Sequence, residues 1–271
     1  NKENYGYAGG YNNGLKQIDS DLFICLNNDA TFLDNKSIEN IAKVFEKNSA
    51  IIAAQPRIIN YSNKDLYDYA GASGGFIDLF GFPFCRGRIL NHIENTTNYQ
   101  TTREVFWASG ACLAIRKKSF ESVNGFDSSF FAHMEEIDFC WRAFNHGYKT
   151  HFVSSSKIYH QGAATIRKNS KKTFLNYRNS LLMLTKNLPL KSLLSTLLIR
   201  LIMDILSSLR FIFTGKIYHF MSIYKAHFHY YLMIKNLLKS RDNAKIRSNY
   251  FKINSIVYKY FILGKKKFFH L

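Results

Sequence analysis

Proline is nearly absent from this sequence, with 3 in 271 residues, and no two cysteines have the CxxC spacing. The four cysteines stand apart at positions 25, 85, 112 and 140, each beside apolar residues. This pattern predicts buried, reduced thiols of the kind found in cytosolic proteins. The chain is 46% hydrophobic, with 24 Phe and 17 Tyr. Such a composition excludes a disordered or low-complexity chain and suffices for one sizeable core.

Acidic residues are nearly missing from the last 111 positions. Residues 161–271 carry 21 Lys and Arg against only Asp204 and Asp242, a sum of +19, whereas residues 1–160 sum to −1. This one-sided charge indicates an anionic partner, and we favour a membrane surface. A basic surface that only keeps the protein soluble is the alternative. Nucleic acid is disfavoured, because the sequence has no zinc-binding, helix-turn-helix or RNA-binding signature.

Helix-like and strand-like segments alternate in the first part of the chain. A glycine-rich loop at 4–14 leads into a helix near residues 9–18, and Asp21–Leu26 is an apolar strand. Residues 36–48 have helical spacing, and Ile51–Pro56 has the pattern of another strand. This order predicts an α/β sheet with parallel strands.

The rest of the chain divides into an irregular part and a helical part. We expect an irregular insertion at 60–104, a strand over Val105–Ile115 interrupted at Gly110, a helix over Phe130–His146 and a short strand over Lys149–Val153. After residue 170 the pattern is helical to the end of the chain.

One of the later helices, Leu190–Phe213, is strongly apolar. A narrow polar stripe follows one side of it, at Ser192, Thr196, Arg200, Asp204 and Ser208. A membrane-spanning helix needs about 20 predominantly apolar residues. Because Arg200 and Asp204 fall in the middle, we expect an interfacial helix, or one packed on the rest of the protein.

Asp29 ends the segment Asn27-Asn28-Asp29, which directly follows the first apolar strand. Ligands of α/β sheets gather at the carboxyl ends of strands. A carboxylate at such a place can hold Mg²⁺ or Mn²⁺ against a diphosphate, because these cations prefer oxygen ligands. The alternative is a simple turn, which Asn and Asp also favour.

Three acids, Glu135, Glu136 and Asp138, stand within four residues at the start of a predicted helix. One interpretation is that these acids only stabilise the helix N-terminus through the helix dipole. The other is that they take part in function. The apolar flanks favour function, because partial desolvation raises a carboxyl pKa towards that of a useful base. A functional role for His160, which is a single histidine, is supported only by its combination with Asp29 and these acids.

Several segments together resemble the family 2 glycosyltransferases, and within them the bacterial rhamnosyltransferase-like branch. The resemblance covers about residues 4–187. It rests on NYGYAGGYNNG (4–14), FICLNNDA (23–30), YAGASGGFIDLFGFPFCRGRI (69–89), FWASGACLAIRKKSF (106–120), NGFDSSFFAHMEEIDFCWRAFNHGYKT (124–150) and KIYHQGAAT (157–165).

The resemblance implies a GT-A fold, an α/β nucleotide-binding sandwich with a mostly parallel sheet, followed here by a helical region. Residues 1–187 would be the catalytic domain, and 188–271 would associate with a membrane. Such enzymes begin with a βαβ unit that binds the nucleobase of the sugar donor. Since that unit is missing here, we expect this chain alone to bind its donor weakly.

The same resemblance assigns roles to residues. Asp29, the acid that remains where the family has a DxD motif, would bind the metal with His160. Glu136 would be the general base, although Glu135-Glu136 replaces the usual Glu-Asp and leaves the choice between them open; Asp138 belongs to the same cluster. The donor would contact Gly9, Gly10, Asn13, Asn27, Asn28, Ser109, Gly110 and Ala111.

The implied function is an inverting, metal-dependent transfer of a sugar, with rhamnose as the first expectation. The donor would be a dTDP-, UDP- or GDP-sugar, the cofactor Mg²⁺ or Mn²⁺, and the acceptor a glycan or lipid-linked glycan of a bacterial cell-surface polysaccharide. We expect a peripheral protein on the cytoplasmic face of the inner membrane. The alternative is a catalytically inactive relative that binds sugar or lipid.

Overall fold

A computed structural model describes residues 3–162, 170–241 and 246–271 of the chain. The last residues of the KIYHQGAAT segment, 163–165, and the acid Asp242 lie outside the described residues. The first half of the chain contains α1 (Gly6–Leu15), β1 (Leu22–Leu26), β2 (Ala30–Phe32), α2 (Lys36–Lys47), β3 (Ile51–Asn60), β4 (Gly75–Ile77), β5 (Pro83–Cys85), β6 (Arg88–Ile89), β7 (His92–Ile93) and β8 (Arg103–Val105).

The second half moves from the sheet to helices. It contains β9 (Cys112–Arg116), α3 (Lys117–Ser122), a 3₁₀ turn (Ser128–Phe130), α4 (Glu135–Asn145), β10 (Lys149–His160), α5 (Ser170–Asn187), α6 (Leu190–Phe213), α7 (Ile217–Lys239), α8 (Ile256–Phe261) and a 3₁₀ turn (Phe268–His270). The α/β class with a C-terminal helical region is confirmed. The expected division at 187/188 falls at the turn between α5 and α6 and stays a prediction.

The main sheet is mixed, which corrects the expectation of a mostly parallel sheet. Its strand order is β1-β9-β3-β10-β2, with β8 also paired to β10. Strands β1, β3 and β10 run in the same direction, as expected, but β9 lies antiparallel between β1 and β3. Strands β2 and β8 pair antiparallel with β10, so β3 with β10 is the one parallel pair among the described strands.

The segment expected to be an irregular insertion forms a second sheet, so that expectation was wrong. Strands β4 to β7 pair antiparallel in sequence order. Trp107 anchors this sheet, because its indole Nε1 donates to the carbonyl oxygen of Phe76 at 3.0 Å. Gly75 lies directly against the ring, where a Cβ atom would come within 1.9 Å of it, so only glycine fits.

Helices cover both faces of the main sheet. Ile41 and Phe45 of α2 pack on one face, and Phe139 and Trp141 of α4 belong to the larger core on the other. All four cysteines are buried and free, as predicted.

A buried ion-pair network attaches the helical region to α4, the helix that begins with the acids Glu135 and Glu136. Asp138, which is 0% exposed, accepts hydrogen bonds from Arg142 Nε at 2.8 Å, Lys186 Nζ at 3.2 Å and Asn187 Nδ2 at 2.8 Å. Lys186 and Asn187 are on α5. Asp138 was grouped with the candidate catalytic acids, but its oxygens are occupied by these partners inside the protein.

Helix α6 turns its polar stripe inward. Thr196, Arg200, Asp204 and Ser208 are buried, whereas apolar residues between them are exposed: Leu194, Leu198, Ile202, Leu206 and Phe213. By length and composition, α6 is the one helix among the described residues that meets the requirements for crossing a membrane.

The buried charges of α6 have partners within the protein. Arg200 donates to the carbonyl oxygen of Phe80 at 3.1 Å and lies 3.9 Å above the ring of Phe82. Asp204 contacts His227 of α7 at 3.0 Å. These contacts pack α6 against the rest of the protein, which is one of the two expected arrangements, and they leave its outer surface apolar.

Replacing the buried carboxylate should destabilise the fold. We expect Asp138→Ala to lower the free energy of unfolding by about 3 kcal/mol, because Lys186 and Arg142 lose a buried counter-charge. Urea denaturation followed by circular dichroism measures the effect. The control is Glu39→Ala, which breaks an exposed 3.9 Å pair with Lys43 and should cost less than about 1 kcal/mol. Equal losses in the two variants would contradict the assignment.

Candidate active site

The antiparallel pairing of β2 with β10 brings Asp29 and His160 together. His160, the last residue of β10, is opposite Ala30 in the register, and the backbone amide of Gln161 donates to the carbonyl oxygen of Asp29 at 2.9 Å. As a result, His160 Nε2 lies 3.1 Å from Asp29 Oδ1. The expected convergence of these two side chains is confirmed, while their role as metal ligands stays a prediction.

His160 lies between two carboxylates. Its Nδ1 is 2.9 Å from Oδ1 of Asp68, on the side opposite Asp29. Burial lowers the pKa of His160, but the hydrogen bond to Asp68 and the charges of Asp68 and Asp29 outweigh it, so the pKa lies above the ordinary value.

Asn27 and Asn28 complete this end of the sheet. The side-chain nitrogen of Asn27 is 3.4 Å from His160 Nε2, and the Asn27 backbone amide donates to the carbonyl oxygen of Ala111 at 3.1 Å. Asn28 lies in the turn between β1 and β2. The bond to Ala111 links this cluster to the next part of the site.

A tight turn at residues 109–111 joins Asp29 and His160 to the acids of α4. The Ser109 amide donates to Gln55 Oε1 at 2.9 Å, which fixes the turn to β3. The backbone amide of Gly110 acts on the carboxyl of Glu136 by lowering its pKa, and the Tyr7 hydroxyl donates to the Gly110 carbonyl oxygen at 2.9 Å. The turn therefore lies against Tyr7 of α1, Asn27 directly after β1, and Glu136 of α4.

Helix α4 begins five residues later than the predicted helix over Phe130–His146. The backbone has positive φ at Phe131, His133 and Met134, which no α-helix accommodates. The Nδ2 atom of Asn179, on α5, holds this loop by donating to the carbonyl oxygens of Phe130, Ala132 and His133 at 2.7–2.9 Å. This loop sets where the acids enter the site.

Glu135 and Glu136 have different surroundings. Glu135 is 4% exposed, whereas Glu136 is partly exposed. Burial raises the pKa of Glu135 well above the ordinary value, and the charge of Glu136 raises it further. Burial also raises the pKa of Glu136, although backbone amides, including that of Gly110, oppose the shift. One oxygen of each carboxyl, Oε2, is buried without a hydrogen-bond partner.

Helix α1 contributes to the site through residues that the sequence did not single out. Tyr7 bonds to Gly110, and the Tyr11 hydroxyl donates to the carbonyl oxygen of Leu26 at 3.0 Å. Their i, i+4 spacing on one helix face was the available signal. Of the predicted donor contacts here, Gly9 is buried, and Gly10 and Asn13 are half-buried.

Comparison with known proteins finds a family similar to the first part of the chain. Residues 1–123 match the family model described as glycosyl transferase family 2. The match spans slightly less than half of the chain and supports the resemblance to the family 2 glycosyltransferases.

Two bacterial rhamnosyltransferases are among the proteins similar to this chain. One is rhamnosyltransferase WbbL of Escherichia coli, 26% identical over 163 residues, which cover 57% of this chain and 61% of that protein. The other is the N-acetylglucosaminyl-diphospho-decaprenol L-rhamnosyltransferase of Mycobacterium tuberculosis, 38% identical over 61 residues, or 22% of this chain and 20% of that one. The chain thus spans less than two thirds of the length of either relative.

Among solved structures, GalNAc-T7 with UDP, GalNAc and Mn²⁺ is similar at a TM-score of 0.49 and 15% identity. The match covers 69% of this chain and 36% of that one.

The raised pKa of Glu135 predicts that the stability of the fold depends on pH. Because the folded-state pKa lies above the unfolded value, the stability that Glu135 contributes is present at low pH and lost as pH rises through the folded value. We expect Glu135→Gln to be more stable relative to wild type at about pH 8 than at about pH 4. Urea midpoints at the two pH values test this. Glu121→Gln, on an exposed position of α3, is the control, and a difference that does not grow with pH would refute the prediction.

Proposed function

We propose that this chain is the catalytic part of an inverting glycosyltransferase. It would move a sugar, with rhamnose as the first candidate, from a nucleotide diphosphate donor to a hydroxyl of a glycan or lipid-linked glycan. The observation that carries the proposal is the turn at 109–111, which connects the Asp29 and His160 pair to Glu136. A charge-binding group and a general base thereby line one site. The names of the two rhamnosyltransferase relatives support the choice of sugar.

The residues at the sheet end fit a divalent metal ion. Asp29 Oδ1 is buried with no aligned hydrogen-bond donor, and it faces the imidazole Nε2 of His160 at 3.1 Å. Two ligand atoms at this separation suit one ion with bonds near 2.1 Å. Among residues 3–162, 170–241 and 246–271 no group of three or more His, Cys, Asp and Glu could hold an ion. The donor diphosphate would therefore supply further ligands.

Bound Mg²⁺ or Mn²⁺ would supply Lewis-acid stabilisation of the departing nucleotide diphosphate. Asp29 and His160 would hold it, with Asn27 and Asn28 beside the phosphates. Ser109, Gly110 and Ala111 would face the donor, and Gly9, Gly10 and Asn13 would contribute from α1.

Glu136 is the proposed general base. It is less buried than Glu135, and burial raises its pKa above the ordinary value for Glu. Its carboxylate takes the proton of that hydroxyl as the oxygen attacks the anomeric carbon, and the carbon–oxygen bond to the diphosphate breaks on the opposite face. Glu135 is more deeply buried, so it is the less favoured candidate for the base. Asp138 is not a candidate, because its oxygens accept hydrogen bonds from Arg142, Lys186 and Asn187.

Removing the base should stop transfer without removing the donor. We expect Glu136→Gln to lower the transfer rate by about 10²- to 10⁴-fold, because the amide cannot accept the proton. Donor affinity should change little. Product formation from dTDP-rhamnose and calorimetry with donor and Mn²⁺ on the full-length gene product measure the two quantities.

The matched control is Glu135→Gln, which should retain most activity. An inactive Glu135→Gln with an active Glu136→Gln would move the base by one residue. A full-length wild-type protein that binds donor but neither transfers nor hydrolyses it would favour the inactive relative.

We also propose that the C-terminal helices hold the enzyme on the cytoplasmic face of a bacterial inner membrane. The exposed apolar surface of α6 continues onto α7, where Met221, Phe228 and Leu232 are 58–66% exposed. Lys191, Lys216, Lys225, Lys235 and Lys239 are exposed on or beside the same helices. Apolar insertion and attraction to anionic lipid, about 1 kcal/mol per basic residue, would act together. A lipid-linked acceptor would then meet its enzyme at the same surface.

Changing the outer face of α6 should release the protein from vesicles. Leu198 and Leu206 are 54% and 62% exposed, so the double variant Leu198→Glu, Leu206→Glu leaves the interior intact. We expect its affinity for anionic vesicles to fall at least about tenfold, because two apolar insertions are lost. Flotation at low and high salt measures this. The control is Ile18→Glu, at an exposed apolar position before β1. Wild-type protein that does not float at low salt would refute membrane binding.

A further inference from the structure

Asp68, in the segment before β4, has no role in the function proposed so far. It is 2% exposed, and its Oδ1 atom lies 2.9 Å from His160 Nδ1. This is the ring nitrogen that points away from Asp29. Asp68 therefore stands behind the histidine that faces the proposed metal position.

Asp68 is itself firmly placed. Its backbone amide donates to the carbonyl oxygen of Ile58, in β3, at 2.9 Å, and its Oδ1 accepts from the backbone amide of Ala70 at 2.8 Å. Gly162 closes the other side, because a Cβ atom there would lie 3.0 Å from Asp68 Oδ2 and 3.5 Å from His160 Nδ1. The carboxylate is thus held by the sheet and cannot easily follow a moving imidazole.

This contact determines which ring nitrogen carries the proton. An ionised carboxylate only accepts hydrogen bonds, so it favours the proton on Nδ1 of His160. The lone pair of a neutral ring is then on Nε2, which faces Asp29 Oδ1 at 3.1 Å. Two acceptors facing each other repel unless a cation lies between them. Carboxylates behind metal-binding histidines orient the ring and raise its basicity in this way.

We propose that Asp68 is a positioning residue that holds His160 as the Nδ1–H tautomer and directs Nε2 to the divalent metal. The inference rests on the proposed metal role of Asp29 and His160. It predicts that Asp68 acts through His160 and touches neither the metal nor the sugar donor.

Metal affinity tests the proposal without a measurement of turnover. We expect Asp68→Ala to weaken Mn²⁺ binding by about 10- to 100-fold, measured by calorimetry on the full-length protein with donor nucleotide present. Asp68→Asn keeps an oxygen for the Ala70 amide and should fall between wild type and Asp68→Ala. Asp65→Ala, in the same segment but exposed, is the matched control and should bind like wild type. Circular dichroism establishes that each variant is folded.

Nitrogen NMR of ¹⁵N-histidine-labelled protein gives an independent readout. At alkaline pH without metal, His160 should be the Nδ1–H tautomer in wild type and a mixture of tautomers in Asp68→Ala. A wild-type Nε2–H tautomer overturns the inference. If Asp29→Asn abolishes Mn²⁺ binding but Asp68→Ala does not weaken it, Asp68 has only a structural role and the proposed metal site stands. If wild type binds no Mn²⁺ with nucleotide, the metal role and the Asp68 inference both fail.

Discussion

The buried carboxylate of Asp138 connects the two halves of this protein. It is the point where α4, which begins with the candidate base, meets α5, the first of the C-terminal helices. A carboxylate inside a protein is tolerated only with full compensation, and Lys186, Arg142 and Asn187 supply it. Asn179, also on α5, holds the loop before Glu135 by a hydrogen bond to the carbonyl oxygen of His133. The position of the acids therefore depends on the helical region.

The candidate site contains groups that disfavour folding. Glu135 and Glu136 each have a buried oxygen without a partner, and three non-glycine residues before them have positive φ. Such strain and desolvation persist where the surrounding structure determines them. Here the hydrogen bonds of Asn179 and the 109–111 turn supply that support. The arrangement is costly for stability and suited to a base whose pKa must lie above that of an ordinary Glu.

Hydrophobic periodicity was sufficient to predict the α/β class and the helices and strands around β1, α2 and β3. It failed for β4 to β7, because strands of two or three residues show no period. The reversed direction of β9 depends on pairing partners far along the chain, which no local pattern encodes. The pairing of Asp29 with His160 was predictable from motifs. Asp68 was not, because its role arises from a contact with a residue 92 positions away.

The inward polar stripe of α6 fixes this helix to the rest of the protein. If α6 left the protein for hydrocarbon, Arg200 and Asp204 would lose Phe80, Phe82 and His227 and would carry unpaired charge into lipid. The helix and the sheet beneath it must therefore move as one body. Any surface that α6 rests on would lie at a set height from His160 and Glu136. If that surface is the proposed membrane, its distance from the site would restrict which acceptor hydroxyls reach Glu136.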